Sequence, residues 1–336
     1  MKTWRVAAGS RIEGLQWADA ASAKPGPRAV RVRIRAAALN YRDLMVLNGW
    51  YPVSTKDPLV PGSDGAGDVT EIGSEVARFK VGDRVATSFF PSWTEGPCTP
   101  AKIAGALGGG EAGTFAEEIV VPEGALVRTP EHLDYQQAAT LTCAGVTAWN
   151  ALFETGRILP GNTVLLLGTG GVSIWALQLA KAAGARVIIT SSSDTKLAQA
   201  RKLGADATIN YTTTPEWSGE VRRLTQDEGV DLVLEVGGEK TVAQSLAAVR
   251  MQGTVVIIGG VSGFGGAINP RQLIVGATRV NGVYVGSRRM HEDLARFVSV
   301  AQIKPVVDRS FPAAQAAEAF RHFEAGKHFG KVALSF

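Results

Sequence analysis

Only two of the 336 residues are cysteine, Cys98 and Cys143, which is too few for a disulfide framework. Histidine is equally scarce, and His132, His291, His322 and His328 do not recur at metal-ligand spacing. No apolar run approaches membrane-spanning length, and the opening Met1-Lys2-Thr3-Trp4-Arg5-Val6 has no signal-like apolar core. No lysine–arginine run is present, so the formal charge of +4 is spread thinly and gives no nucleic-acid footprint. Those absences leave a soluble globular protein, 45% hydrophobic and 20% charged, with a cytoplasmic enzyme as the expectation. At this length two domains are expected, each with its own core.

What is present is a glycine turn between a strand and a helix. Val164 to Leu167 form a short apolar run, Gly168-Thr169-Gly170-Gly171-Val172-Ser173 follows, and an apolar-periodic segment runs on to Gly184. Gly168 permits the tight turn, and Gly170 lets backbone approach a pyrophosphate held at a helix N-terminus. A second strand, Ala185 to Thr190, stands at the βαβ distance, so the unit predicts dinucleotide binding. Ser173 takes a place where glycine or alanine usually allows close helix–strand packing, and a slightly altered contact is expected there.

Two kinds of patterning divide the chain. Before about residue 130, short strands and turns dominate; Val30 to Arg35 alternates apolar and basic residues as a half-wet strand does. From about 143 to 285, strands alternate with helices: Val164–Leu167, Val187–Thr190, Ala207–Asn210, Asp231–Val236, Thr254–Ile258 and Val280–Val285. The fold class is therefore α/β, with a doubly wound parallel sheet and a β-rich companion. The tail adds a helix, Ala313 to Ala325, and a strand, Lys331 to Ser335, while Pro91 to Gly113 is expected to be a surface loop.

Several motifs occur together in order: Pro61-Gly62-Ser63-Asp64-Gly65-Ala66-Gly67, Phe79-Lys80-Val81-Gly82-Asp83-Arg84-Val85, Pro160-Gly161, Gly168 to Val172, and Gly330-Lys331. With them the chain resembles the medium-chain dehydrogenase/reductase superfamily over nearly its whole length, in its zinc-free quinone oxidoreductase-like and alcohol dehydrogenase-like branch. The resemblance implies a GroES-like catalytic domain, residues 1–142 with 286–336, and a Rossmann domain, residues 143–285. It also implies hydride transfer with a nicotinamide cofactor in an interdomain cleft, and a dimer, for which the sheet edge at Val280–Val285 is the candidate contact.

Zinc-dependent relatives hold their catalytic metal with a cysteine, a Gly-His-Glu segment and a later cysteine. In this chain the matching places read Asn40, Gly62-Ser63-Asp64 and Cys143, and only Cys143 is a good ligand. The chain is accordingly read as free of metal, with Cys143 a small buried residue.

An NAD-specific site carries an acidic residue after the second strand. Here Ser191-Ser192-Ser193-Asp194-Thr195-Lys196 follows, and Asp194 is expected to cap the next helix. Ser191 and Ser192 offer hydroxyls, and Lys196 a point charge, to a ribose phosphate. In quinone oxidoreductases a lysine here and a tyrosine in an Ile-Asn-Tyr segment bind that phosphate, and Tyr211 matches the second. NADPH is thus the expected cofactor, touched by Gly168, Thr169, Gly170, Gly171, Val172, Ser191, Ser192, Lys196 and Tyr211. Strand ends add Gly237, Gly259, Gly260 and Val261, and family matching adds Val285, Gly286, Ser287 and Lys331.

Without metal, charge on the acceptor needs another stabiliser. The segment Gly49-Trp50-Tyr51-Pro52 resembles the Tyr-Pro site of quinone oxidoreductases and enoyl thioester reductases, making Tyr51 the candidate proton donor. Asn40 offers an amide donor, Tyr41 is a competing phenol, and Asp43 has a structural duty. The expected reaction is NADPH-dependent reduction of a quinone or α,β-unsaturated carbonyl, an apolar or aromatic substrate in keeping with Trp50, Phe89, Phe90, Trp93 and the region of Arg288. An alcohol dehydrogenase of simple alcohols, and a non-catalytic NADPH-binding sensor, remain open alternatives.

Overall fold

A computed structural model describes residues 1–53, 58–265 and 267–336. The chain divides into two compact units, Met1–Val146 with Val285–Phe336, and Thr147–Tyr284. The class is α/β, a GroES-like unit and a Rossmann-like unit.

The second unit is built on a six-stranded, all-parallel sheet. Across the sheet the strands run Ala207–Asn210, Arg186–Ser191, Thr163–Leu166, Val230–Glu235, Val249–Ile257 and Arg279–Gly282. In chain order that is 3-2-1-4-5-6, the arrangement of dinucleotide-binding sheets. Its inner strands read as unbroken apolar runs because helices cover both faces: Leu165, Ile188, Val233 and Val255 are fully buried. Each such side chain contributes about 1.5–3 kcal/mol on burial. The last strand is shorter than its apolar run predicts and stops at Gly282.

Helix Gly171–Ala182 buries Ile174, Ala176, Leu177 and Ala180, the i, i+3 spacing that faces a sheet. Gly184 ends it at φ +82°, a left-handed conformation that removes the chain from the helix without a Cβ penalty.

The first unit carries a seven-stranded sheet. It runs Val307–Pro312, Lys331–Ser335, Ala29–Ala38, Asp64–Ile72, Arg84–Thr87 and Leu126–Arg128, with Glu118–Pro122 also paired to Ala29–Ala38. Alternation along Ala29–Ala38 puts Val30, Val32 and Ile34 in the core and Arg33 and Arg35 outward, as the period of two requires. The tail helix is Ala316–Glu324, preceded by one tighter turn.

The segment 91–113 is more than a surface loop. Trp93, Ala106 and Leu107 are buried, and Trp93 and Ala106 pack with Phe89 and Phe90 as a separate apolar cluster. Composition reads as irregular because the glycines make turns; the sparse apolar residues anchor them. Among the described residues no helix is long and apolar enough to cross a membrane.

Candidate functional site

In the Rossmann-like unit the glycine turn follows strand Thr163–Leu166. Gly168 sits at φ +72°, a conformation that favours glycine, and takes up Thr190 Oγ1 as acceptor for its N–H at 3.3 Å. A Cβ built on Gly170 would meet nothing within 4 Å, so the helix N-terminus presents open backbone of the kind a pyrophosphate needs. Thr169 Oγ1 lies 3.4 Å from Ser191 Oγ, tying the turn to the end of the second strand. Ser173 is buried and its hydroxyl donates to Leu167 O at 2.7 Å, which stitches the first helical turn to the strand before it. The serine is therefore a bond in place of a close packing contact.

After the second strand, Ser193 caps helix Asp194–Lys202 by accepting from Lys196 N at 3.4 Å. Asp194, expected as that cap, is the first helical residue instead, and its carboxylate accepts from Asn210 Nδ2 at 2.8 Å. Ser191 is buried, Ser192 is exposed and Tyr211 is 42% exposed, its N–H bonded to Ser191 O. These residues and Lys196 therefore share the ends of adjacent strands and their following turns.

Sequence reasoning missed Glu235. This buried carboxylate ends the fourth strand and accepts Gly237 N at 2.6 Å, Gly238 N at 2.9 Å and Thr241 Oγ1 at 2.6 Å on one oxygen. Ser245 Oγ donates to the other. The loop it shapes is bonded to the next one: Ser262 donates both N–H and Oγ to Gly237 O, and Glu239 N donates to Gly263 O. Gly237, Gly259 and Gly260 are thus in one knitted pair of loops, with Val261 exposed beside them. A strand-terminal glutamate before Gly-Gly, with Thr and Ser following, was the available signal.

In the GroES-like unit, Asn40 opens helix Tyr41–Leu47 and donates its backbone N–H to Asp43 Oδ2 at 2.9 Å. Its side chain enters a buried polar chain. Lys331 Nζ donates to Asn40 Oδ1 at 2.5 Å and to Leu39 O at 2.6 Å, and pairs with Asp64 Oδ2 at 3.4 Å. Ser63 Oγ donates to Asp64 Oδ1 at 2.8 Å, and Asn40 Nδ2 reaches Ser63 Oγ at 3.4 Å. Lys331 was expected at the cofactor; its ammonium is only 3% exposed and bonded into this interior network. Ser287 is buried and caps helix Arg288–Ala301, accepting from Met290 N. Gly286 leaves room for Val146 and Met290, and Val285 packs against the Phe89 cluster.

Arg42 and Asp43 form a second buried pair, Nε to Oδ1 at 3.2 Å. Burial raises the Asp43 carboxyl above the usual range, opposed by the Arg42 charge. The guanidinium also donates to Leu107 O and lies over the Phe89 ring at 4.7 Å and the half-buried Tyr51 ring at 5.8 Å. Trp50 is exposed and stands outside this group.

Zinc fits these donors poorly. The Asn40 oxygen already faces an ammonium, Ser63 points its proton at Asp64, and burial pushes the Cys143 thiol up to about 12, with Asp64 acting in the same direction. A metal ligand must present a lone pair, and in the case of cysteine a thiolate. Among the described residues no group of three or more His, Cys, Asp or Glu side chains could hold a metal ion.

Residues 26–131 match the family model of the alcohol dehydrogenase GroES-like domain, and residues 171–300 that of the zinc-binding dehydrogenases. A zinc-type alcohol dehydrogenase-like protein of Schizosaccharomyces pombe is 44% identical across 93% of this chain and 92% of its own length. A quinone oxidoreductase of Pseudomonas aeruginosa is 34% identical, covering 96% and 95%. A solved NAD-dependent alcohol dehydrogenase superposes with a TM-score of 0.92 at 36% identity, over 100% of each chain. The glycine turn on a 3-2-1-4-5-6 sheet, the presence of a GroES-like unit in the same chain, and these likenesses together place the chain in the medium-chain dehydrogenase/reductase superfamily, as one of its oxidoreductases.

Proposed function

We propose that this enzyme reduces a quinone or α,β-unsaturated carbonyl with NADPH and without zinc. The observation that carries the reading is the Lys331 ammonium at 2.5 Å from Asn40 Oδ1, a cation already seated against a residue that matches a zinc ligand. A second cation there would meet direct repulsion.

When bound, NADPH would supply a hydride to the carbon conjugated to the acceptor oxygen. The Tyr51 hydroxyl would give the proton that neutralises the charge this leaves on the acceptor. Solvent then reprotonates Tyr51. Such an acceptor spreads the charge itself, which lowers the demand on the protein; a plain ketone does not. Ser191, Ser192, Lys196 and Tyr211 supply hydroxyls and one positive charge for the ribose phosphate. The carboxylate of Asp194, which would oppose a phosphate, is drawn toward Asn210. Gly168 to Val172 receive the pyrophosphate, and Gly237, Gly259, Gly260 and Val261 line the rest of the dinucleotide.

A second copy of the chain pairs at strand Arg279–Gly282, the sheet edge, near the exposed Ile274, Val275 and Tyr284. Light scattering after gel filtration reads that state.

The solved NAD-dependent alcohol dehydrogenase favours a second reading, oxidation of simple alcohols with NAD. Stopped-flow NADPH and NADH oxidation against quinones, enones and simple ketones separates the two. Turnover of enones and quinones with NADPH, unaffected by chelators, is expected. Activity confined to simple ketones, or lost on chelation, overturns the proposal.

A further inference from the structure

We propose that Lys331 is a positioning residue that turns the Asn40 amide into a hydrogen-bond donor for the acceptor's carbonyl or quinone oxygen. This rests on the reductase reading above and names the group that meets the developing charge.

The two ends of an amide look alike in shape but differ in hydrogen bonding, so its orientation follows from its partners. An ammonium only donates. Lys331 Nζ lies 2.5 Å from one end of the Asn40 amide, so that end is the oxygen and the NH2 faces the other way. The lysine is itself fixed, with Leu39 O at 2.6 Å and Asp64 Oδ2 at 3.4 Å.

The NH2 has two protons and one acceptor among the described residues, Ser63 Oγ at a long 3.4 Å. Ser63 cannot turn the bond around while its own proton goes to Asp64 Oδ1 at 2.8 Å. Asn40 is only 7% exposed, so a donor with a proton in hand is held in a largely water-free setting. A cation on the amide oxygen polarises the group and strengthens its N–H as a donor. Asp64 balances the lysine charge, so the positive end of the amide is delivered without an unpaired ion in the core. In this chain an ammonium and an amide thus do what a Lewis acid does in a metal site: they place fixed positive potential where an oxyanion forms.

Two variants test it. Asn40→Asp keeps the shape and still accepts from Lys331, but donates nothing; kcat with an enone should fall about a hundredfold, while the NADPH dissociation constant stays put. The double variant Lys331→Met/Asp64→Asn removes both buried charges together, so folding is retained, and kcat should fall about tenfold with little change in KM. A readout independent of turnover uses 4-nitrophenol as a probe for oxyanion binding, followed by the visible absorbance of its phenolate. Wild type should bind the phenolate more tightly than the neutral phenol, and Asn40→Asp should reverse that preference. Loss of kcat with an unchanged NADPH constant, together with that reversal, supports the proposal. Unchanged kcat in Asn40→Asp, an equal phenolate preference in both proteins, or stoichiometric zinc uptake by wild type in calorimetry overturns it. If wild type turns over no acceptor at all, the reductase reading fails separately, and the phenolate preference still decides the role of Lys331.

Discussion

The Ser173 hydroxyl donates to the Leu167 carbonyl at 2.7 Å, closing the glycine turn on itself between the strand and the helix. Ser173→Ala leaves that buried carbonyl without its side-chain donor and should cost about 1–2 kcal/mol in urea unfolding. Ser173→Gly should cost more, because glycine adds about 1 kcal/mol of helix penalty.

The two turn glycines should respond differently. Gly168→Ala forces a side chain into φ +72° and should destabilise by about 1–2 kcal/mol. Gly170→Val points its side chain into open space, so the melting temperature should barely move. NADPH affinity, read by fluorescence quenching, should instead drop about a hundredfold, since the valine fills the place of the pyrophosphate. Tight binding to Gly170→Val would remove the turn from the cofactor site.

Glu235 should set the affinity of the dinucleotide through the loops it holds. Glu235→Gln keeps an acceptor oxygen for Gly237, Gly238 and Thr241, and should bind NADPH within a few-fold of wild type. Glu235→Leu leaves those donors unpaired and should raise KM for NADPH about tenfold with kcat largely kept. Equal KM values for the two variants would remove the carboxylate from that role.

Cofactor choice should follow Lys196. Lys196→Glu places a carboxylate where a phosphate would sit, and should weaken NADPH at least about tenfold while sparing NADH. A parallel loss for both cofactors would show a structural effect instead.

Acid stability should depend on His291. Its ring is buried without hydrogen-bond partners among the described residues, and burial pulls its pKa down from 6.5 to about 3. The unfolded chain therefore binds a proton that the folded one refuses. Stability is fully present above 6.5 and lost as pH falls toward about 3, on the order of 1.4 kcal/mol per pH unit. His291→Leu should flatten this limb of the urea-midpoint profile, and an unchanged slope would assign the loss to other groups.

The parallel sheet was legible because its strands are apolar runs parted by helical periodicity, a pattern that burial on both faces imposes locally. Boundaries were less so. Helix Asp194–Lys202 is capped by Ser193, since three serines and an aspartate in succession all suit a cap and backbone geometry selects among them. The loop 91–113 read as a surface segment because Trp93, Ala106 and Leu107 are too scattered to show a period, though each is buried.

The residue types alone determined the glycine turn, the lack of acidic residue directly after the second strand, and the replacement of two of the three zinc-matching ligands by Asn40 and Ser63, with Cys143 kept. These are local matters of backbone freedom, charge and ligand chemistry. Tertiary structure decided what those places became. Lys331 lies 291 residues from Asn40 in sequence, and only the pairing of strand Lys331–Ser335 with strand Ala29–Ala38 brings its ammonium to the amide. Glu235 differs, since its partners Gly237, Gly238, Thr241 and Ser245 all follow within ten residues, where the turn after its strand folds back over the carboxylate. Hydrogen bonds between distant residues carry no periodicity, so the sequence could name the donors and acceptors but not join them.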